Sequence, residues 1–149
     1  MTAGAPPVPR DPAWRDKVIQ GFADQGFMRL LGATLERIEP GAVDIAVAYS
    51  PDLTQQNDYF HAGVTTTLAD NAGGFAAFTL FPPDTLVLTA EMKISLIAPA
   101  AGERLVATGS VIKAGQMLTT CDVEVFAETA GTRKLVAKML QTLARLDAR

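Results

Sequence analysis

Apolar residues recur at helical spacing near the start of the chain, where Trp14, Val18, Ile19 and Phe22 mark one face of a segment from Ala13 to about Gln25. Gly26 follows at a position where helices commonly stop, so the pattern predicts one short amphipathic helix. A hairpin is predicted next: Ala33 to Glu39, a Pro40-Gly41 turn, then Val43 to Tyr49, with Val43, Ile45, Val47 and Tyr49 alternating against Asp44, Ala46 and Ala48. Between His61 and Thr79, Val64, Leu68, Phe75 and Phe78 fall on one broad helical stripe, and Pro82 and Pro83 end it. Gly73 and Gly74 oppose that helix by about 1 kcal/mol each relative to alanine, which implies that another group approaches its backbone closely.

The remainder reads as sheet. Leu86, Leu88, Ala90, Met92, Ile94 and Leu96 alternate with Val87, Thr89, Glu91, Lys93 and Ser95, the cleanest periodic signal in the protein. Arg104 to Lys113, Met117 to Ala127 and Lys134 to Arg145 follow as three more strands, and their short connections imply antiparallel neighbours. An antiparallel sheet with an apolar face must cover it, and only the central helix is long and apolar enough to do so. The predicted architecture is α+β, an antiparallel sheet wrapped around one long helix.

Composition narrows the function classes. At 149 residues the chain suits a single domain, expected over residues 13–149, behind a mobile proline-rich tail at residues 1–12. A formal charge of -3 gives no electrostatic footprint for nucleic acid or an anionic membrane. The single cysteine, Cys121, rules out an internal disulfide and a cysteine-clustered metal site. No apolar run approaches the ~20 residues that cross a bilayer, and the opening stretch lacks the apolar length of a signal peptide, so the cytoplasm is expected.

Polar groups with chemical promise gather in one stretch, Gln55 to Gly63, and at Asp70 in the helix after it. There is no G-x-S-x-G, no P-loop, no G-x-G-x-x-G, and one histidine alone supplies no zinc-hydrolase ligand set. No metal or redox cofactor is expected. Asp70 has no positively charged sequence neighbour within a turn on either side, so it is a solvent-facing helix residue, a partner in a hydrogen bond to a neighbouring loop, or a carboxylate set for base or nucleophilic work. The amides of Ala62, Gly63 and Val64 at the helix mouth, with the positive end of the helix dipole, suit an oxyanion or a polarised carbonyl. A rise of ~1.5 Å per residue sets Asp70 on the order of 10 Å from that mouth, too far for both to act on one carbonyl carbon. Two chains paired antiparallel would bring the mouth of one helix to the carboxylate of the other.

Asn57-Asp58-Tyr59-Phe60-His61-Ala62-Gly63, with Leu68-Ala69-Asp70 and Gly73-Gly74 after it, resembles the H-G-G…D signature of hotdog thioesterases of the phenylacetate-degradation (PaaI-like) type. The similarity runs from about Leu31 to Leu146. It implies the hotdog fold, hydrolysis of a small or medium acyl- or aryl-CoA with coenzyme A entering only as part of the substrate, and a homodimer or dimer of dimers. Carried over by residue, it implies that Asp70 acts as nucleophile or general base, and that the Ala62 N–H, with Gly63 beside it, polarises the thioester carbonyl. Ala62 departs from the family's glycine, but the role belongs to a backbone N–H. The resemblance further implies that Gln55 or Asn57 orients substrate or water, and that a hydroxyl on the partner's following strand corresponds to Thr89. His61 is expected to fix the loop by bonding backbone, with direct proton transfer as the other reading. Tyr59 and Phe60 suit either an acyl pocket or core packing.

Two other functions fit the same framework. One is a non-catalytic acyl-CoA-binding hotdog module, which needs the pocket and no carboxylate. The other is a hotdog enoyl-CoA hydratase or dehydratase, which pairs histidine and aspartate differently from the nine-residue spacing of His61 and Asp70.

Overall fold

The computed structural model describes residues 6–148. Two helices come first, α1 (Trp14–Asp24) and α2 (Gly26–Leu31), followed by strands β1 (Thr34–Glu39) and β2 (Ala42–Ala48), the long helix α3 (Ala62–Phe78), and strands β3 (Thr85–Leu96), β4 (Arg104–Ala114), β5 (Leu118–Thr129) and β6 (Thr132–Asp147). The strands form one antiparallel sheet in the order β1-β2-β4-β5-β6-β3, and α3 packs against every strand from β2 to β6. This is the sheet around one long helix that the hotdog resemblance implies. No helix among the described residues is long and apolar enough to cross a membrane.

The core lies between α3 and the inner sheet face. Leu68, Ala72, Phe75 and Ala76 of the helix meet Val43, Ile45 and Val47 of β2, Leu105 and Ala107 of β4, Cys121, Val123 and Val125 of β5, and Met139 and Leu143 of β6. Glycine makes the contact close. A Cβ at Gly109 of β4 would lie 2.3 Å from the Ala72 carbonyl oxygen, and one at Gly73 would lie 3.0 Å from Val123 Cγ2. The expected close approach therefore falls at Gly73. At Gly74 a Cβ would make only ordinary contact, with Leu143 at 3.9 Å.

Three expectations need correcting. Gly26 does not end the helical region: Gln25 takes an extended conformation (φ −72°, ψ 108°), and the chain re-enters a helix that stops at Gly32, where φ is +68°. That left-handed turn is the true C-terminal signal. The apolar alternation of β3 faces the helix only in its second half: Leu86 and Leu88, 50% and 55% exposed, point away from it, whereas Met92, Ile94 and Leu96 pair with the inward Gln141, Met139 and Ala137. The register shifts between Thr89 and Glu91, so Val87 and Thr89 point inward before the bulge and Ile94 after it. Of the tail, residues 1–5 lie outside the described residues, whereas Arg10 and Asp11 are anchored: Arg10 Nε donates to the Leu80 carbonyl at 3.0 Å, and buried Asp11 pairs with Lys17 at 3.0 Å.

His61 caps α3, its Nδ1 accepting the Gly63 N–H at 2.8 Å. His61→Ala should cost about 1 kcal/mol in urea unfolding, and His61→Asn, which keeps a short side-chain acceptor, should recover most of it. The Lys17 side chain and the Ala13 N–H hold the Asp11 carboxyl below its ordinary value of 3.8. A depressed carboxyl stabilises the fold above the unfolded value, and that contribution is lost as pH falls through the lower folded one. Chemical denaturation should accordingly show wild type more stable than Asp11→Asn near neutrality, with the gap closing below pH 3.8.

Candidate active site

Asp70 sits two turns into α3 on the side away from the densest packing, half-buried, where Thr67, Asn71 and Gly74 share its face. Two strands reach its carboxylate. Thr89 of β3 donates its hydroxyl proton to Asp70 Oδ1 at 2.6 Å, and Gln141 Nε2 of β6 donates to the same oxygen. The Gln141 amide also donates to the Asp70 backbone carbonyl at 3.1 Å and approaches Thr89 Oγ1 at 3.2 Å. Oδ2 accepts no hydrogen bond among the described residues. The bulge after Thr89 allows this convergence: it keeps Thr89 turned toward the helix, while Met92, beyond the bulge, pairs with Gln141.

Beside the carboxylate lies a cavity of about 420 Å³, walled by Gln25 and Phe27 at the α1–α2 junction, Asn71, Phe75, Val87 and Leu143. Among the described residues, Asp70 is the only ionisable side chain lining it. A second cavity, about 440 Å³, lies by the helix mouth between Gln55, Tyr59, Ala62 and Thr65 and the end of β3 at Leu96 and Ile97. Phe60 is core, edge-to-face with Tyr49, and also borders this second cavity, while Tyr59 is partly exposed there.

The mouth of α3 offers one free amide, not three. Gly63 donates its N–H to His61 Nδ1, and the Val64 and Thr65 amides go to the His61 carbonyl at 3.0 and 3.2 Å. Ala62 N–H has no partner among the described residues. Gly63 has a structural reason to be glycine: a Cβ there would lie 2.9 Å from His61 Nδ1. His61 thus bonds backbone, and its own N–H goes to the Leu53 carbonyl at 2.9 Å.

Within one chain, Asp70 and Thr89 come together, while Ala62 stands eight residues away along the helix, roughly 12 Å by helical rise. Gln55 and Ala62 share the second cavity, and the Gln55 side chain accepts the Asn57 N–H, holding the loop. Asn57 is exposed on that loop. Arg104 and Arg133 are engaged with Glu128 on the sheet. Gln141 went unread in the sequence. Its signal is a polar residue in the inward phase Ala137, Met139, Gln141, Leu143 of a core strand, where an apolar side chain is the rule.

Comparison with known proteins agrees with this framework. The family model described as "Thioesterase superfamily" matches residues 57–134, more than half of the chain. A thioesterase family protein from Silicibacter pomeroyi is 37% identical and superposes with a TM-score of 0.89, covering 91% of this chain and 99% of that one. The PaaI protein from the phenylacetic acid degradation operon of E. coli, 18% identical, shares the fold with a TM-score of 0.82 over 93% of this chain and 97% of its own. A Halobacterium salinarum protein provisionally named an esterase is 30% identical over 76% of this chain and 80% of its own. A hotdog sheet around α3, a family match across the helix mouth and Asp70, and relatives at this identity together establish that the chain belongs to the thioesterase superfamily.

Proposed function

We propose that the protein hydrolyses the thioester of an acyl- or aryl-coenzyme A in a site shared between two subunits. The observation that carries this reading is one free oxygen and one free amide: among the described residues Asp70 Oδ2 has no donor and Ala62 N–H no acceptor, and the two are too far apart to act together in one chain. Strand β3 supports a way to join them. Among the described residues it has one strand neighbour, β6, and its other edge is unpaired. Thr89, beside Asp70, lies toward one end of β3, and Leu96, beside Ala62, lies at the other. Antiparallel pairing of two copies of β3 about a twofold axis sets each Asp70 beside the partner's Ala62.

In such a site the partner's Ala62 N–H donates to the thioester carbonyl oxygen and stabilises the charge that grows there. Asp70 Oδ2 either attacks the carbonyl carbon or takes a proton from an attacking water. In both cases the carbon–sulfur bond breaks, coenzyme A leaves as thiolate and is protonated, and water supplies the oxygen and hydrogen that complete the acid and the thiol. Carboxylate and amide suffice for this chemistry, with no metal or redox cofactor. The tetramer is a further expectation of the same reading, for which the exposed Leu86, Leu88, Leu118, Leu140 and Leu146 supply an apolar outer face.

Thiol release should be screened across short, medium, long and aryl-CoA esters. Wild type should turn over at least one ester, and Asp70→Asn should lose on the order of 10² or more in rate while still binding ligand. Ala62→Pro removes only the N–H, since proline is well tolerated at the first position of a helix, and should cost about 10²-fold. Equal mixing of the two inactive variants, unfolded and refolded together, should restore about a quarter of wild-type activity, because half of the dimers are mixed and each carries one intact site. No recovery on mixing would overturn the shared site. Tight coenzyme A binding without turnover would support a binding module, and water addition to enoyl-CoA would support a hydratase.

A further inference from the structure

We infer that Gln141 is a positioning residue for Asp70: its buried side-chain amide pins Oδ1 and so selects Oδ2 as the oxygen that reacts. The inference rests on the reading of Asp70 as the reactive carboxylate and assigns a task to a residue 71 positions away in sequence.

Gln141 is 1% exposed, flanked along β6 by Met139 and Leu143 and paired with Cys121 of β5. An apolar residue would be cheaper there, since a buried amide must recover its lost hydration through hydrogen bonds. Gln141 recovers it at one end only. Its Nε2 faces three oxygens, Asp70 Oδ1, the Asp70 carbonyl and Thr89 Oγ1, whereas its Oε1 is buried without a partner.

This asymmetry fixes the amide. Turned over, it would press Oε1 against the same three oxygens, one of them a carboxylate oxygen, so the ionised Asp70 holds the NH₂ inward. Gly73 makes room for the arrangement, because a Cβ at that position would lie 2.0 Å from Gln141 Oε1. The glycine in the helix and the glutamine in the strand are one device. Thr89 adds a second donor to the same Oδ1, from an exposed position at 2.6 Å.

The surroundings keep the carboxylate's response simple. Among the described residues no other ionisable side chain lines the cavity at Asp70, and from β5 the Cys121 thiol, pushed up to about 12 by burial, adds no charge as it bonds the Gly73 carbonyl at 3.4 Å. Met139 and Leu143 of β6 and Val87 of β3 are apolar.

The test uses the ester that wild type turns over best. Gln141→Leu, which keeps the volume and removes the donors, should lower kcat about tenfold or more with KM changed less than twofold, and should move the acid limb of the kcat/KM profile upward. Gln141→Glu, nearly isosteric, sets a second carboxylate beside Asp70 and should move that limb by about one pH unit or more. A lowered melting temperature with wild-type kcat and an unmoved acid limb in both variants would reduce Gln141 to packing and overturn the inference. A thermal double-mutant cycle of Gln141→Leu with Asp70→Ala reads the same hydrogen bonds without substrate and should be non-additive. If wild type hydrolyses no ester yet the cycle is coupled, the thioesterase reading fails and the pinning stands. An additive cycle overturns the pinning whatever the activity.

Discussion

The distance between α3 and the sheet governs everything the site can do. Side chains usually space a helix from the strands beneath it. Here Gly73 of the helix and Gly109 of β4 remove that spacer on both sides, and a Cβ at Gly109 would come within 2.7 Å of the Gly73 amide nitrogen. The helix settles low enough for a short aspartate on its flank to be reached by Thr89 and Gln141. A higher helix would leave Asp70 a solvated carboxylate of no consequence. The helix propensity lost at Gly73 is the cost of that approach, and the burial of Leu68, Ala72 and Ala76 against the strands offsets it.

A second constraint acts at the helix mouth. The first amides of any helix lack intrahelical acceptors, and a chain that used all of them for capping would have none for substrate. His61 divides them. Its imidazole takes the Gly63 amide and its carbonyl takes those of Val64 and Thr65, leaving Ala62 alone. Histidine therefore acts here through the geometry it imposes on backbone. The position that must be small is 63, where a Cβ would crowd the imidazole, and alanine at 62 takes nothing from the free N–H.

Sequence periodicity revealed the elements better than it revealed their orientation. The bounds of β2 and α3 follow the alternation of Val43 to Val47 and the stripe from Val64 to Phe78 to within a residue or two. In β3 the same rule identified a strand but assigned the wrong face to its first half, Leu86 and Leu88, because a bulge reverses the phase midway and no residue type in Thr89-Ala90-Glu91 announces it. Helix α2 was hidden by Gly26, which looks like a stop until Gly32 is seen to hold the left-handed conformation. Of the site, Asp70, Ala62 and His61 stand in or near one motif and were legible. Gln141 belongs to the same cluster through three-dimensional pairing alone, and only its polarity on a core-facing row distinguishes it.

The unread helix bears on what the site would accept. Phe27 borders both the cavity beside Asp70 and another cavity, of about 570 Å³, beside His61 and Gly63, and Thr67 of α3 does the same from the opposite side. Leu30, largely exposed, extends that apolar wall. Asp70 and the Ala62 amide are thus fixed by α3 and the sheet, while the surface facing them across the groove comes from a six-residue helix with few buried anchors, Met28 and Leu31. On the thioesterase reading, reaction and selectivity reside in different elements. The carboxylate needs the rigid packing of the core, whereas the fit to an acyl group depends on side chains that substitution can change without disturbing Gly73, Gln141 or the capped helix mouth.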